Sequence, residues 1–379
     1  MTDIYIVRHA EAEGNYYRRA HGHYNSNLTE FGYRQLPYLR KRFDGVCLDA
    51  VYSSDLKRAV ETARAVAEPR EMKIRIDPEL RETCVGIWED EPWGNLSHRE
   101  PEMMHRYNND PMRWAVSGGE PAEDTQKRML SAVERIAKAH PDQAVALFTH
   151  GGAIRLLMAA LRKTPSEEIR WTAKGDNTGV TLLRVDGDCI EIVYEGDNSH
   201  LPVELSGIAK QKWWLEEGEK TISPRMDVWD PESQRELYER LYADAWCSAH
   251  GEAEFDPAPY YRRALEKHRI DPTLIMIALD GDEPMGLIEF DDQADKAVNA
   301  GHISFYAMTE KYRGRKQSPI MMGEAISRYR RLGREKLRLC AAPENKRAEG
   351  YYLHLGFRKV GLTEGAISAL NVMEKDIRV

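Results

Sequence analysis

Short apolar runs that end directly in cationic or imidazole side chains are the feature of this sequence that most restricts its fold. One such run covers residues 4–7, and Arg8 and His9 follow it. Another covers residues 144–148, and His150 lies just beyond its end. Continuous apolar runs of this length predict strands that are buried on both faces of a parallel sheet. Because open α/β sheets bind ligands at the carboxyl ends of their strands, we expect His9 and His150 at one rim of an α/β fold.

A second arginine is predicted to lie near the same rim. Residues 50–52 form a short strand-like run, and Ser53 and Ser54 follow it. Serine hydroxyls at such a position cap helices, so we expect a helix that begins at Asp55. Arg58 would then lie about one turn inside the helix, near the positive end of its dipole, where anions bind.

Two glycines follow His150 and precede an apolar run at residues 153–161, which is predicted to be a helix. Glycine adopts dihedral angles that other residues avoid, so Gly151 and Gly152 predict a tight turn that bends the backbone and lets it approach a ligand. His150 is therefore expected to face the same rim as His9.

These residue types suit phosphoryl transfer. Neutral imidazole can attack a phosphomonoester and form a phosphohistidine that water later removes, so His9 is the candidate nucleophile. Guanidinium groups and a second imidazole stabilise the charge on the phosphoryl oxygens in the transition state, which is the role expected of Arg8, Arg58 and His150. Metal-site spacings such as HExxH are absent, so no metal is expected.

Six motifs follow one another along the first half of the chain. They are Val-Arg-His-Ala at 7–10, Asn-Leu-Thr-Glu-Phe-Gly at 27–32, Ser-Ser-Asp-Leu-Lys-Arg-Ala-Val-Glu-Thr-Ala at 53–63, Leu-Arg-Glu-Thr-Cys-Val-Gly-Ile-Trp-Glu at 80–89, Gly-Gly-Glu at 118–120 and Thr-His-Gly-Gly at 149–152. In this order they resemble the histidine phosphatase superfamily, also called phosphoglycerate-mutase-like, over about residues 2–200. The resemblance implies a three-layer α/β/α sandwich with a mostly parallel sheet.

The resemblance also implies one phosphate pocket, formed by Arg8, His9, Arg58 and His150. Within it, Glu82 would donate a proton to the leaving oxygen, and Asn15 would border the pocket. Four other carboxylates lie between residues 79 and 91, so capping or ion pairing is the alternative role for Glu82. The family more often has glycine where this chain has Ala10, which only adds a methyl group beside the nucleophile.

The length of 379 residues exceeds one typical domain, so two domains are expected. The strand-like run at 190–194 gives way to a polar stretch with paired tryptophans at 210–221, which leads into Pro224. We predict a histidine phosphatase domain at 1–205, a linker at 206–222 and a second domain at 223–379.

Charge and composition restrict the partners. The formal net charge of −8 argues against nucleic acid as the main ligand and leaves room for a local basic pocket around a small phosphorylated metabolite. The five cysteines are isolated and odd in number, so neither a disulfide framework nor a structural zinc site is indicated. We find no leader peptide and no stretch near the ~20 apolar residues that span a bilayer, so we expect a cytoplasmic protein that does not insert into membranes.

The second half carries a different pattern. Residues 274–279, 286–290 and 302–308 predict successive strands separated by acidic turns, as in an antiparallel meander. A basic, polar turn at 312–318 then precedes Pro319, which favours the first position of a helix continuing over 320–332. The amino terminus of a helix behind such a turn is suited to bind an anion.

A pattern at 345–357 resembles the GNAT N-acetyltransferases, and with the preceding turn the likeness covers about residues 224–379. The pattern is Asn-x-x-Ala-x-x-(aromatic)-Tyr-x-x-x-Gly-Phe, in which Asn345 and Tyr352 occupy the first and the tyrosine positions. The resemblance implies a mixed α/β domain with a largely antiparallel sheet, acetyl-CoA as the cofactor and an amine as the acceptor. It further implies that Tyr352 protonates the departing thiolate and that Asn345 lies near the cofactor.

The loop that would hold the cofactor's pyrophosphate departs from the family pattern Arg-Gly-x-Gly-x-Gly/Ala. Its residues here are Arg313, Gly314, Arg315, Lys316, Gln317 and Ser318. Only one of three glycines is kept, and side chains hinder the close approach that glycine permits. Either the Lys316 ammonium compensates for the loss, or the cofactor binds weakly. For the base that accepts the amine's proton, Glu289 and Asp291 are candidates.

Three hypotheses for the whole chain stay open. The first is a phosphomonoesterase joined to an acetyltransferase in one bifunctional enzyme. The second is a phosphatase whose rear domain only senses acyl-CoA or mediates dimerisation, so a homodimer is left open. The third is a phosphoglycerate-mutase-type phosphotransferase. The acidic stretch at 88–93 differs from the arginine-rich segments of mutases, which favours hydrolysis.

Overall fold

The computed structural model describes residues 1–172, 175–207, 224–250, 255–365 and 368–379. These residues divide into two compact units, each built around its own sheet. The first sheet has six strands in the order β3-β2-β4-β1-β5-β6. Its strands are β1 Thr2–Arg8, β2 Ala50–Ser53, β3 Ile74–Ile76, β4 Ala144–Thr149, β5 Val180–Asp186 and β6 Cys189–Asp197.

The first four strands of this sheet pair in parallel, and β5 and β6 are added in the antiparallel sense. The helices within residues 1–172 are α1 Glu13–Tyr16, α2 Glu30–Arg42, α3 Lys57–Ala67, α4 Trp93–Arg99, α5 Pro101–Asn109, α6 Ala122–Ala139 and α7 Gly151–Leu161. Ile4 and Ile6 of β1 pack on one face against α6 and α7. Val7 packs on the other face against α2 and α3. The predicted three-layer sandwich with a mostly parallel sheet is confirmed.

The register of the two central strands brings their carboxyl ends together. Arg8 is paired with Thr149 across the β1–β4 ladder, so His9 and His150 are the first residues beyond the same rung. Adjacent strands lie about 4.8 Å apart. The sheet itself therefore sets the distance between the two histidines.

Two helices begin elsewhere than predicted. The first, α3, begins at Lys57 and not at Asp55: Leu56 keeps an extended backbone, and the Ser54 hydroxyl accepts from the Leu56 amide at 3.2 Å before the helix begins. Arg58 is consequently the second residue of its helix. The other, α7, begins at Gly151, so the two glycines form its first turn and not the bend expected between strand and helix.

The second unit contains a seven-stranded sheet in the order β12-β13-β11-β10-β9-β8-β7. Its strands are β7 Arg225–Val228, β8 Ile275–Asp280, β9 Glu283–Asp291, β10 Ala300–Met308, β11 Lys336–Ala341, β12 Arg358–Glu364 and β13 Ala369–Asp376. Its described helices are α8 Arg235–His250, α9 Ala258–Ile270, α10 Pro319–Arg331 and α11 Lys346–His354. The predicted meander is present as β8, β9 and β10, and α10 begins at Pro319 as expected.

One pair of strands in this largely antiparallel sheet is parallel. The strands β10 and β11 are paired only from Ala300 to Ile303, which faces Leu339. Beyond that point, β10 continues along β9 with an irregularity at Ser304, and β11 continues along β13. The ladder between β10 and β11 thus stops in the middle of the sheet.

The predicted linker lies largely outside the described residues, as do the paired tryptophans. Its first two residues are described, and both are bound to Asp176: the Ser206 hydroxyl donates to Oδ2 at 2.6 Å, and the Gly207 amide donates to Oδ1 at 3.1 Å.

Three further observations concern the described residues only. All five cysteines are free thiols. No cluster of three or more histidine, cysteine, aspartate or glutamate side chains is arranged to hold a metal ion. No helix combines the length and the apolar character needed to cross a membrane.

Candidate active site

The rim of the first sheet brings together the cationic and imidazole residues that the sequence singled out. The His9 amide donates to the Thr149 carbonyl at 3.0 Å, and the rings of His9 and His150 have centroids 5.2 Å apart. Both rings are buried, as is Arg58. The fold thus places these side chains in one small region at the carboxyl ends of β1 and β4.

The imidazole of His9 is held in one tautomer. Its Nδ1 lies 2.7 Å from the Ala10 carbonyl oxygen. A carbonyl oxygen only accepts, so Nδ1 carries the proton and Nε2 keeps its lone pair. Burial, followed by the charges of Arg58 and Arg8, holds the pKa of His9 well below its usual range. The ring is therefore neutral near neutral pH, with Nε2 as a free nucleophile.

Arg58 is fixed by one short loop and by His150. Its guanidinium donates to the carbonyls of Tyr24 at 2.9 Å, Gly22 at 2.7 Å and His21 at 3.2 Å. Its Nε donates to His150 Nδ1 at 3.2 Å. Burial lowers the pKa of Arg58 to about 10, so the guanidinium remains charged at neutral pH.

The bond from Arg58 determines which nitrogen of His150 carries the proton. Because Nδ1 accepts, the proton of the neutral ring is on Nε2, which lies 2.9 Å from the Ser54 hydroxyl. Burial, with the charge of Arg58 next in size, holds the pKa of His150 well below its usual range. The ring therefore offers an N–H donor.

Arg8 lies against the start of α7. One guanidinium nitrogen donates to the Gly175 carbonyl, and no partner for the buried Nε is found within the described ranges. A Cβ on Gly151 would lie 3.0 Å from that Nε. Gly151 is thus required by the close approach of Arg8 and not by a sharp bend. The unpaired N–H is suited to bind a phosphoryl oxygen.

Glu82 caps the amino terminus of α7. Its Oε2 accepts from the Gly152 amide at 2.9 Å. Its Oε1 accepts from the amides of Ala153 at 2.7 Å and Thr83 at 3.0 Å. A Cβ on Gly152 would lie only 2.6 Å from Oε1, so the second glycine also serves close packing. The carboxylate therefore lies at the same helix end as Arg8, in the capping arrangement that sequence reasoning left as the alternative.

Asn15 reaches the nucleophile through a second asparagine. Its Oδ1 accepts from the Ala12 amide at 3.1 Å and from Asn177 Nδ2 at 3.4 Å. The same Nδ2 donates to the His9 carbonyl at 2.9 Å. Asn15 thus supports the backbone around His9.

Sequence reasoning missed several residues of this site. Asn177 and the buried Asp176 lie just before β5, whose antiparallel direction brings its start to the rim. An apolar run does not reveal its direction in a sheet, so this placement had no sequence signal. Ser54 was expected to cap a helix, and its contact with His150 was not foreseen.

In the second unit, the loop before α10 keeps the backbone shape expected of a glycine-rich loop. Gly314 and Lys316 both have left-handed backbone angles, with φ of 77° and 57°. Lys316 therefore occupies a conformation that glycine adopts without strain. Arg313 Nε donates to the Met308 carbonyl at 2.9 Å, and an Arg347 guanidinium nitrogen lies 3.4 Å from where a Cβ on Gly314 would be. Arg315 and Lys316 are both exposed in this loop.

Hydroxyl groups cluster beside this loop. The Tyr351 hydroxyl is 3.0 Å from both the Ser318 hydroxyl and the Tyr306 hydroxyl. The Tyr306 hydroxyl also donates to the Ser318 carbonyl at 2.6 Å. Tyr351 therefore has polar partners at the start of α10.

Tyr352 is buried among Tyr306, Tyr351 and Phe357, with ring centroids 5.6 to 6.3 Å away. Burial raises its pKa, so its hydroxyl keeps its proton. Asn345 caps α11 through a bond from the Ala348 amide to its Oδ1 at 3.1 Å.

The two candidate bases differ in their surroundings. The buried Glu289 accepts from the Tyr238 hydroxyl at 2.6 Å and from Lys267 Nζ at 3.3 Å. Lys267 Nζ also donates to the Ser304 hydroxyl at 2.8 Å, at the irregularity of β10. Asp291 instead accepts from the amides of the turn that follows β9. Glu289 is thus the carboxylate connected, through Lys267, to the irregularity of β10 at Ser304.

Comparison with known proteins agrees with both halves of this description. The model of the histidine phosphatase superfamily (branch 1) matches residues 4–198. The chain therefore belongs to the histidine phosphatase superfamily. The model of the acetyltransferase (GNAT) family matches residues 235–357, so the second part of the chain contains a GNAT acetyltransferase domain.

The similar proteins cover the first half of the chain. Phosphoglycerate mutase-like protein 4 of Arabidopsis thaliana is 33% identical over 204 residues, which are 53% of this chain and 87% of that protein. The adenosylcobalamin/alpha-ribazole phosphatase of Escherichia coli is 29% identical over 190 residues, which are 48% of this chain and 94% of that protein. The solved structure of Bacillus stearothermophilus YhfR aligns with 36% identity and a TM-score of 0.51, covering 53% of this chain and 99% of that one.

Proposed function

We propose that the first unit hydrolyses phosphomonoesters through a phosphohistidine formed on His9. The observation that carries this proposal is the neutral imidazole whose Nδ1 proton is bound to the Ala10 carbonyl, which leaves Nε2 unprotonated beside two arginines and a second histidine. A nucleophile of this kind splits one difficult displacement into two easier steps. The E. coli relative is named as a phosphatase, which supports hydrolysis.

The chemistry assigns a role to each residue. His9 Nε2 attacks phosphorus while the ester P–O bond breaks, and the leaving oxygen takes a proton from Glu82. Arg8, Arg58 and the Nε2–H of His150 stabilise the phosphoryl oxygens during this step. Water then attacks phosphorus and gives its proton to Glu82, the P–N bond to His9 breaks, and inorganic phosphate leaves. To reach the leaving oxygen, Glu82 would exchange its bonds with the Gly152 and Ala153 amides for contact with the leaving group.

Turnover of p-nitrophenyl phosphate at mildly acidic to neutral pH tests this proposal. We expect His9→Ala to abolish turnover and His354→Ala, at an exposed site of the second unit, to retain it. Brief reaction of the wild type should leave an acid-labile, alkali-stable phosphate on the protein. Retained turnover in His9→Ala would reject His9 as the nucleophile.

The mutase alternative makes a different prediction. A mutase moves phosphate between oxygens of a phosphorylated hydroxy acid without net release of inorganic phosphate. We propose hydrolysis because the segment after Glu82 is acidic, although the Arabidopsis relative is named as mutase-like. Isomerisation of 3-phosphoglycerate without phosphate release would favour the mutase.

We further propose that the second unit binds acetyl-CoA and transfers its acetyl group to an amine. Bound acetyl-CoA would supply an activated thioester. The loop of residues 313–318, with left-handed backbone at Gly314 and Lys316, would hold the diphosphate in front of α10. Tyr352 would protonate the departing thiolate, and Glu289 would accept the amine's proton. Asn345 would lie near the cofactor, held in place by its cap on α11.

A thermal shift with acetyl-CoA tests binding, because a ligand that binds only the native state raises its melting temperature. Release of free thiol in the presence of an amine panel tests transfer, and Tyr352→Phe should reduce it. Binding without transfer would favour an acyl-CoA-sensing module, and the absence of any shift would favour a dimerisation module.

A further inference from the structure

Glu89 is a carboxylate whose oxygens are taken up by backbone amides from two segments. Oε2 accepts from the amides of Gly22 at 3.1 Å and Tyr24 at 2.7 Å. Oε1 accepts from the amides of His23 at 2.7 Å and Val85 at 3.0 Å. Hydrogen bonds to an ionised acceptor are about twice as strong as neutral ones. The backbone amides of three successive residues, 22–24, are therefore bound to the single carboxylate of Glu89.

The carbonyls of this loop bind Arg58. The amides of residues 22–24 point to Glu89, whereas the carbonyls of His21, Gly22 and Tyr24 accept from the Arg58 guanidinium. The loop thus lies between an anion and a cation and connects them through its peptide groups. Glu89 can therefore influence the position of Arg58 without a direct contact between the two side chains.

The packing of this loop leaves little room for another position. A Cβ on Gly22 would lie 2.4 Å from the Thr83 carbonyl oxygen and 2.5 Å from Glu89 Oε1. From Arg58, the chain of contacts continues through Nε to His150 Nδ1. The charge of Glu89 also opposes the effect of burial on the pKa of Arg58.

We propose that Glu89 is a positioning residue for the phosphatase reaction: it fixes residues 22–24, which orient Arg58, which in turn keeps the proton of His150 on Nε2. This inference rests on the proposed phosphatase function. It assigns Glu89 no contact with substrate.

Glu89→Gln tests the inference, with Glu91→Gln as the matched control. Glutamine keeps the size but offers one acceptor oxygen and turns an NH₂ group towards the amides. We expect a loss of about 10- to 100-fold in kcat/KM for p-nitrophenyl phosphate, as misplacement of a catalytic group by about 1 Å produces. Glu91 pairs with Arg99 at 3.7 Å at the surface, so Glu91→Gln should stay near wild type. Equal activity of the two variants would overturn the inference.

A double-mutant cycle separates positioning from a general loss of structure. If Glu89 acts through Arg58, adding Glu89→Gln to Arg58→Ala should cost little further activity. The acid limb of the kcat/KM profile should also move to higher pH in Glu89→Gln, because a displaced Arg58 no longer lowers the pKa of His9 and His150. Full additivity, or an unchanged pH profile, would contradict the proposal.

Glu89→Asp keeps the inference testable if the glutamine variant does not fold. Aspartate retains the charge on a side chain that is one methylene shorter, so we expect an activity between those of wild type and Arg58→Ala. An activity equal to either one counts against the role of Glu89.

His9→Ala keeps the two proposals distinct. Turnover in His9→Ala rejects the phosphohistidine mechanism, whereas inactive His9→Ala with fully active Glu89→Gln rejects only the role of Glu89.

Discussion

The proton on His9 Nδ1 is held by a backbone carbonyl, that of the next residue in the chain. A carboxylate in that place would be lost as a partner whenever it became protonated, but a peptide oxygen does not titrate. The tautomer that exposes Nε2 is therefore independent of the ionisation of neighbouring side chains. Burial adds to this by keeping the ring neutral in mildly acidic solution.

Gly152→Ala is expected to reduce phosphatase activity without unfolding the domain. Alanine favours helices over glycine by about 1 kcal/mol, but its Cβ would lie 2.6 Å from Glu82 Oε1 and must displace the carboxylate. We expect a loss of at least about tenfold in kcat/KM. Gly350→Ala, also inside a helix but facing open space, is the matched control and should leave turnover unchanged. Unaltered activity of Gly152→Ala would show that the position of Glu82 does not matter.

The positions of individual site residues were predictable where those residues lie at the carboxyl end of a strand. Arg8, His9 and His150 directly follow apolar runs, so their meeting at one rim follows from the parallel sheet. Glu89 and Asp176 were not predictable as partners of loop amides and hydroxyls. Their contacts depend on the path of irregular backbone, for which the sequence has no periodicity.

At the scale of elements, helix starts were the least predictable feature. The Ser54 hydroxyl accepts from the Leu56 amide before α3 and also contacts His150 Nε2, so a serine that follows a strand does not fix the first residue of the next helix. The start of α7 was misplaced for a related reason. Glycines before a helix suggest a turn, but here Arg8 and Glu82 lie against helical glycines.

Lys316→Gly should stabilise the second unit. Lys316 has a φ of 57°, which costs an L-residue roughly 1 kcal/mol that glycine avoids, partly offset by the greater entropy of glycine in the unfolded chain. The free energy of unfolding is therefore expected to rise by a few tenths of a kcal/mol. Arg315→Gly, at a neighbour outside the left-handed region, should lower it. Urea denaturation measures both, and equal destabilisation would contradict the strain at Lys316.

At the scale of the whole molecule, the contrast between the two halves was predictable from the sequence. Continuous apolar runs separated by helices indicated the mostly parallel first sheet, and closely spaced strands with acidic turns indicated the antiparallel second one. The order of strands was not predictable from the runs alone. The antiparallel addition of β5 and the early end of the β10–β11 ladder depend on pairings between distant segments.

Stability should fall in acid in part because the first unit buries neutral histidines. Burial lowers the pKa of His200 to about 4 from its ordinary 6.5. The unfolded chain then binds more protons, so stability is lost as the pH falls from 6.5 towards 4. His200→Gln removes this proton uptake and should show a shallower decline in melting temperature over that range. His98→Gln, at an exposed site, is the control; identical slopes for wild type and His200→Gln would contradict the assignment.

The register between β1 and β4 has a consequence for how such an enzyme could change its substrate. The spacing of the His9 and His150 imidazoles is a property of the backbone ladder, whereas we propose that the alcohol part of the ester meets residues of the segment 96–122, which lies outside the sheet. Exchanging that segment for one from a relative would alter recognition while the bond-breaking machinery stayed intact. New substrate specificities can therefore arise on this scaffold by replacement of that segment alone.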